Sequence, residues 1–187
     1  MVNLQIGRPV ALPAGITTLL LVAGAASFCS EVAPATGAPA RVRLEDASPS
    51  MDDLLDRFLA SLAARDKAAL RRLRVTEDEY RRLILPGSVD PGQALRAYRD
   101  DVNKYFWDTL NGKSIYYEAN LLYEMGGHQY RVKDVTFRKG TKSYATYKGY
   151  KQLSLVLENE HGQIGHLDTG SIAEVDGQFK FISFIRD

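Results

Sequence analysis

Hydrophobic spacing changes once along this chain, and that change limits the folds open to it. From about residue 51 to residue 125 the apolar residues recur at intervals of three and four, the spacing of one helix face. After Gly126-Gly127 they alternate, as on strands with one buried face. Helices first and an antiparallel meander afterwards predict an α+β domain, not alternating β-α units.

Local signals subdivide each half. Ser50 and Asp53 form a capping pattern ahead of Leu54, Leu55, Phe58, Leu59 and Leu62. Asp66 is placed to cap a short second helix carrying Leu70 and Leu73. Thr76-Glu77-Asp78-Glu79 is a capping box for a third helix, with Pro86 as its stop. Asp90-Pro91 reads as the start of a fourth helix, which Asn111-Gly112 would end, and Ser114 as the cap of a fifth. The strands are expected at 129–138, with an alternation shift near Lys133-Asp134, at 142–148, and around Leu153, Leu155 and Leu157 after a break at Gly149. Two more follow at 164–175 and 179–185, joined by an Asp176-Gly177 hairpin.

The first 50 residues have another character. Residues 1–29 read as a signal peptide: Arg8, an apolar run over 10–28 centred on Leu19-Leu20-Leu21-Val22, and small residues over 23–27. Export to a periplasm or the exterior follows, by cleavage near Ala26 to Ser30. Retention through an anchor is the alternative, including acylation of Cys29, the chain's one cysteine, although Phe28 stands where such motifs have a small residue. Residues 30–50, rich in Ala, Pro and Ser, read as a flexible spacer, and 51–187 as the domain.

Charge and cysteine content exclude several classes. Without residues 1–29 the chain carries 23 basic and 23 acidic residues, so no net charge favours a nucleic acid. The domain has no cysteine for a disulfide, thiolate metal site or thiol nucleophile. Nucleophile-elbow, phosphate-loop and dinucleotide glycine patterns are missing.

The chain resembles the nuclear transport factor 2-like superfamily over roughly residues 50–187. The segments that carry the likeness are Arg65-Asp66-Lys67-Ala68-Ala69-Leu70, then Arg74-Val75-Thr76-Glu77-Asp78-Glu79-Tyr80, and the closing run from Gly170-Ser171-Ile172-Ala173 to Lys180-Phe181. It is most similar to exported bacterial members without assigned function. The resemblance implies helices packed into a strongly curved antiparallel sheet, a cone with a pocket or groove. It implies no particular reaction, and no catalytic residue carries over.

Candidate site residues come from the residue pattern alone. His166 and Asp168 lie two apart on one strand, hence on one face, and could act as an acid–base pair if that face lines the cone. Tyr147 and Trp107 complete the expected pocket lining. Tyr116, Tyr117, Tyr123, Tyr130, Tyr144, Tyr147 and Tyr150 would suit either a pocket or a half-exposed sheet. His161 falls in a turn and His128 in a loop, and no ligand set for a metal, nor a cofactor motif, is visible. The leading expectation is a non-catalytic exported domain that binds a small apolar ligand or a protein. The alternatives are an isomerase- or lyase-type enzyme using His166 and Asp168, and a purely structural envelope protein. Expected partners are thus a small molecule, a protein or a second copy of the chain, with membrane contact only through an N-terminal anchor. Replacing Tyr147 or His166 is expected to weaken binding at little cost in stability.

Overall fold

Local chemistry sets where the helices begin. In the structure, a computed structural model that describes residues 43–186, α1 (Met51–Ala63) starts at Ser50, whose hydroxyl accepts the Asp53 amide at 3.0 Å. Asp66 caps α2 (Lys67–Arg72) through the Ala69 amide at 2.9 Å. The Thr76/Glu79 capping box opens α3 (Glu77–Glu79), satisfying donors that a helix start leaves open. Signal peptide, Cys29 and most of the spacer lie outside the described residues. The last stretch, expected to be spacer, is docked: Leu44 and Ser48 are buried, and Ser48 exchanges backbone hydrogen bonds with Phe179.

The third helix ends within a residue of Pro86, as expected, but not as a plain α-helix. It passes through a π-helical turn (Tyr80–Ile84) into α4 (Leu85–Gly87). Pro86 has no amide to extend the ladder, and the helix ends one residue later at Gly87. Asp90-Pro91 opens a turn, not a helix, closed by Gln93 N to Asp90 O at 3.1 Å. The next helix, α5 (Asp100–Met125), starts ten residues later and runs without a break through Asn111-Gly112. Glycine in a helix costs roughly 1 kcal/mol, which tertiary contact can offset. Here Asn111 accepts a hydrogen bond from Arg74 Nη2 at 2.8 Å, and buried Ser114 sits mid-helix instead of capping a new one.

The strands form two hydrogen-bonded groups. β1 (Tyr130–Phe137), β4 (Leu153–Asn159) and β5 (Ile164–Asp168) make one. β2 (Thr141–Ser143), β3 (Lys148–Tyr150), β6 (Ile172–Val175) and β7 (Gln178–Phe181) make the other. All pairing between these strands is antiparallel, with one isolated parallel bridge from Arg74 to Phe181, so the architecture is α+β as expected. The alternation shift of β1 is a bulge between Val132 and Asp134.

The two groups are one meander with a bend in it. Ser154 pairs with Asp168 and Tyr150 with Ile172, four residues back on one strand and four forward on the other, so the register is common to both sides. The bend falls at Gln152, whose φ is 56°, and at residues 169–171 opposite; Leu153 N to Gly170 O and Thr169 N to Leu153 O carry the ladder across. The expected single strand over 164–175 is therefore split into β5 and β6. Gly170 is required there because a β-carbon would lie 1.8 Å from the Ser183 carbonyl oxygen. Gly149 breaks nothing: it lies inside β3, paired with Lys142 and Ala173. The expected strand over 142–148 is the β2–β3 hairpin, and the last strand ends at Phe181.

The core has two parts. α1, α2 and Leu121 of α5 pack on the face of β4 and β5 that carries Leu153, Leu155, Leu157 and Leu167, with Phe58, Phe181 and Phe184 in ring contact. A second, smaller cluster joins Val75, Leu83, Ile84, Trp107, Tyr147, Ala173 and Val175.

Candidate functional site

The β2–β3 hairpin is held at its tip by the segment that follows the π-helical turn. Ala145 donates its amide to the Gly87 and Val89 carbonyls, and Thr146 Oγ1 donates to the Leu83 carbonyl at 2.8 Å. Gly87 has to be glycine, since a β-carbon there would lie 1.7 Å from Thr146 Oγ1. Tyr147 adds a side-chain contact, with its hydroxyl 2.9 Å from Ser88 Oγ. Ser88 spends its one proton on the Ile84 carbonyl at 2.6 Å, so Tyr147 is the donor. Burial pushes the Tyr147 phenol up to about 12, and it stays neutral at physiological pH.

The Tyr144 ring stacks on that of Tyr147, with centroids 4.7 Å apart and planes 22° from parallel. Two ammonium groups approach the Tyr144 ring: Lys142 Nζ at 5.1 Å and Lys151 Nζ at 5.4 Å from its centroid. Both distances lie within cation–π reach. Lys142 is also paired with Asp90 at 2.9 Å.

A cleft of about 420 Å³ opens beside these rings, where the sheet bends. Tyr144, Tyr147, Leu110, Ile182 and Ile185 supply apolar walls, Lys139 and Lys151 the cationic ones. The volume lies in the usual range for small-molecule sites, roughly 300–1,000 Å³.

Of the four residues expected to line the pocket, only Tyr147 does. Trp107 belongs to the same apolar cluster but packs its ring on Tyr80, centroids 5.6 Å apart, and borders a separate cleft of about 210 Å³ with Arg71, Arg74 and Asn111. His166 and Asp168 share a face as predicted. It is the outer face of β5, opposite the one that buries Leu167. His166 is exposed across from Val156, and Asp168 accepts from Arg138 Nη1 at 2.7 Å. The two stand apart from the Tyr147 cleft. Tyr147 itself is nearly buried, so its removal empties a packed position, contrary to the low cost expected from sequence.

The other histidines meet at a carboxylate. His128 Nδ1 lies 2.9 Å from Glu160, and that hydrogen bond is the main cause holding the Glu160 carboxyl below its usual range; His161 Nε2 is 3.8 Å away. Among the described residues no three His, Cys, Asp or Glu side chains group closely enough to hold a metal ion.

Sequence reasoning missed the cationic wall, although a signal for it exists. Arg138, Lys139, Lys142, Lys148 and Lys151 alternate with Tyr144, Tyr147 and Tyr150 in one short stretch, a basic and aromatic run that a hairpin folds together. It also missed the buried pair Glu79–Lys180, only 2–3% exposed. Lys180 Nζ donates to both carboxylate oxygens at 3.1 and 2.9 Å, and the Glu45 and Thr76 amides donate to them at 2.6 Å each. Nothing in the spacing of residues 101 apart announces that contact.

Compared with family models, with curated proteins and with solved structures, the chain matches none of them.

Proposed function

We propose that this is an exported, non-catalytic binding domain of nuclear transport factor 2-like architecture. Its ligand, seated beside Tyr144 and Tyr147, is a small molecule with an apolar body and one anionic group. The observation that carries the reading is the cleft at the sheet bend, where two stacked rings and three aliphatic side chains face the same space as Lys139 and Lys151. An apolar pocket with a few converging polar groups is the common form of a ligand site. The neutral Tyr147 phenol, committed to Ser88, supplies a wall and no acid–base function. The outward placement of His166 and Asp168 weighs against the isomerase or lyase alternative, because a paired acid and base must reach one bound substrate. The bent antiparallel meander with helices on one face supports the cone architecture. Export rests on the residue pattern of positions 1–29.

Decanoate, a ten-carbon chain ending in a carboxylate, tests this by calorimetry. One decanoate should bind per chain, decanol at least tenfold more weakly. Lys151→Ala should reduce decanoate affinity about tenfold while leaving that for decanol unchanged. Equal affinities of wild type and Lys151→Ala for decanoate, or no binding of either compound at millimolar concentration, would overturn the assignment.

A further inference from the structure

The outermost line of α5 carries no charge; exposed Asp101, Lys104, Asp108 and Lys113 stand beside it. The buried side of the helix bears Trp107, Ser114, Glu118 and Leu121. Directly opposite runs a line of six exposed residues: Tyr105, Thr109, Gly112, Tyr116, Ala119 and Tyr123. Their spacing alternates four and three throughout, which keeps them on one seam of a helix, the spacing by which two helices pair. Tyr105 is 67% exposed, Tyr116 63% and Tyr123 88%, and Phe106 and Ile115 flank the line. Five of the seven large hydrophobic residues exposed among the described residues are thus on this one helix.

The line is self-complementary when read against its own reverse. Centred near Ser114, Tyr105 of one copy falls opposite Tyr123 of another, Thr109 opposite Ala119, and Gly112 opposite Tyr116. The two central tyrosines, one from each copy, then each meet a glycine, which has no side chain to displace them. A parallel pairing would instead place Tyr116 on Tyr116 and glycine on glycine, a clash beside a void. The reversed pairing repeats the same contacts under a twofold axis, the commonest symmetry of protein dimers.

From these observations we propose that the outer face of α5 is a dimer interface, on which a second copy of this chain docks antiparallel. Its area can reach what a stable interface needs. An aromatic side chain buries roughly 150–250 Å². At the exposures above, the three tyrosines of the line offer about 330–550 Å² per chain. Two chains then bury up to about 1,100 Å² in all, which reaches the roughly 1,000 Å² of a specific interface.

Sedimentation velocity of the full chain between about 1 and 100 μM checks the assembly. A dimer is expected, with Tyr116→Glu raising the dissociation constant more than a hundredfold while the melting temperature measured below that constant stays unchanged. Cross-linking checks the direction, in a Cys29→Ser background. Thr109→Cys and Ala119→Cys chains should form a disulfide when mixed and little when either is alone, whereas Tyr116→Cys alone should not cross-link. A monomer at 100 μM overturns the proposal, and so does efficient cross-linking by Tyr116→Cys alone, which reports parallel pairing. If truncating residues 1–42 is what makes a monomeric full chain dimerise, the chain's own N-terminal segment is the occupant and the proposal fails equally.

Discussion

The two parts of the core are built on different principles. Under α1 the packing is almost wholly apolar: leucines and the rings of Phe58, Phe181 and Phe184 meet, and the one cation against them is Arg74, 6.0 Å over the Phe184 ring. Around Trp107 and Tyr147 the packing is smaller and laced with polar chemistry, from the Glu79–Lys180 pair to the Tyr147–Ser88 contact. The clefts that Tyr147 and Trp107 border adjoin this second part. Burial of apolar area holds a fold without fixing where polar groups point, whereas a hydrogen-bonded pair holds specific atoms in place. The difference teaches that the first part supplies stability and the second supplies position.

Substitutions that separate these roles run from large effects to small. Phe58→Ala should cost about 3–5 kcal/mol in denaturant unfolding, the range for emptying an aromatic core site. No second polar change should restore it. Lys180→Met should cost about 3–5 kcal/mol as well, because the Glu79 carboxylate is left buried without its cation. Here a second change should help: adding Glu79→Gln removes the stranded charge and keeps an acceptor for a backbone amide. If the double variant is no more stable than Lys180→Met, the second part is ordinary packing and the contrast collapses.

Alkaline titration sharpens the same contrast at a single hydroxyl. The Tyr147 pKa is raised to about 12 by burial, while the unfolded chain has a phenol near 10. Unfolding then becomes more favourable as pH rises from 10 towards 12, since the unfolded phenol releases its proton first, and the full contribution is present below pH 10. Tyr147→Phe should cost about 1 kcal/mol at neutral pH for the lost hydrogen bond and should flatten stability over that alkaline window. An unchanged alkaline slope would mean that Tyr147 does not stay protonated in the fold. Smallest of all, Asp168→Asn removes an exposed pair with Arg138 and should shift stability by less than about 1 kcal/mol, and His166→Ala by less than about 0.5 kcal/mol. A larger loss from either would show that the outer face of β5 is covered.

Reading the sequence reached the parts of the fold that are written locally. Ser50, Asp66 and the Thr76/Glu79 box cap helices because each bond spans three residues. The Asp176-Gly177 turn is legible because both residues take positive φ, 50° and 76°, which that dipeptide tolerates. What failed depended on distant partners. Asn111-Gly112 looks like a helix end until Arg74 is seen holding Asn111. Residues 164–175 look like one strand until the Ser183 backbone is found crossing at Gly170. The candidate site suffered in the same way: period two placed His166 and Asp168 on a common face, but which face is buried was settled by leucines on β4 and a helix far upstream.

β7 gathers threads from the whole domain. Phe179 bonds to Ser48, Phe181 to Leu73 and Val75, and Lys180 to Glu79. A polypeptide made from its N-terminus therefore lacks the partner for three of its early segments until about residue 181 has been synthesised. Closing loops of that span is slow compared with forming a helix turn. During that interval the helices can form and dissolve, but the ladder that joins Ser48, Val75 and Glu79 to the rest has no second side. Closure of the domain around Ser48, Val75 and Glu79 therefore waits for the strand that is synthesised last.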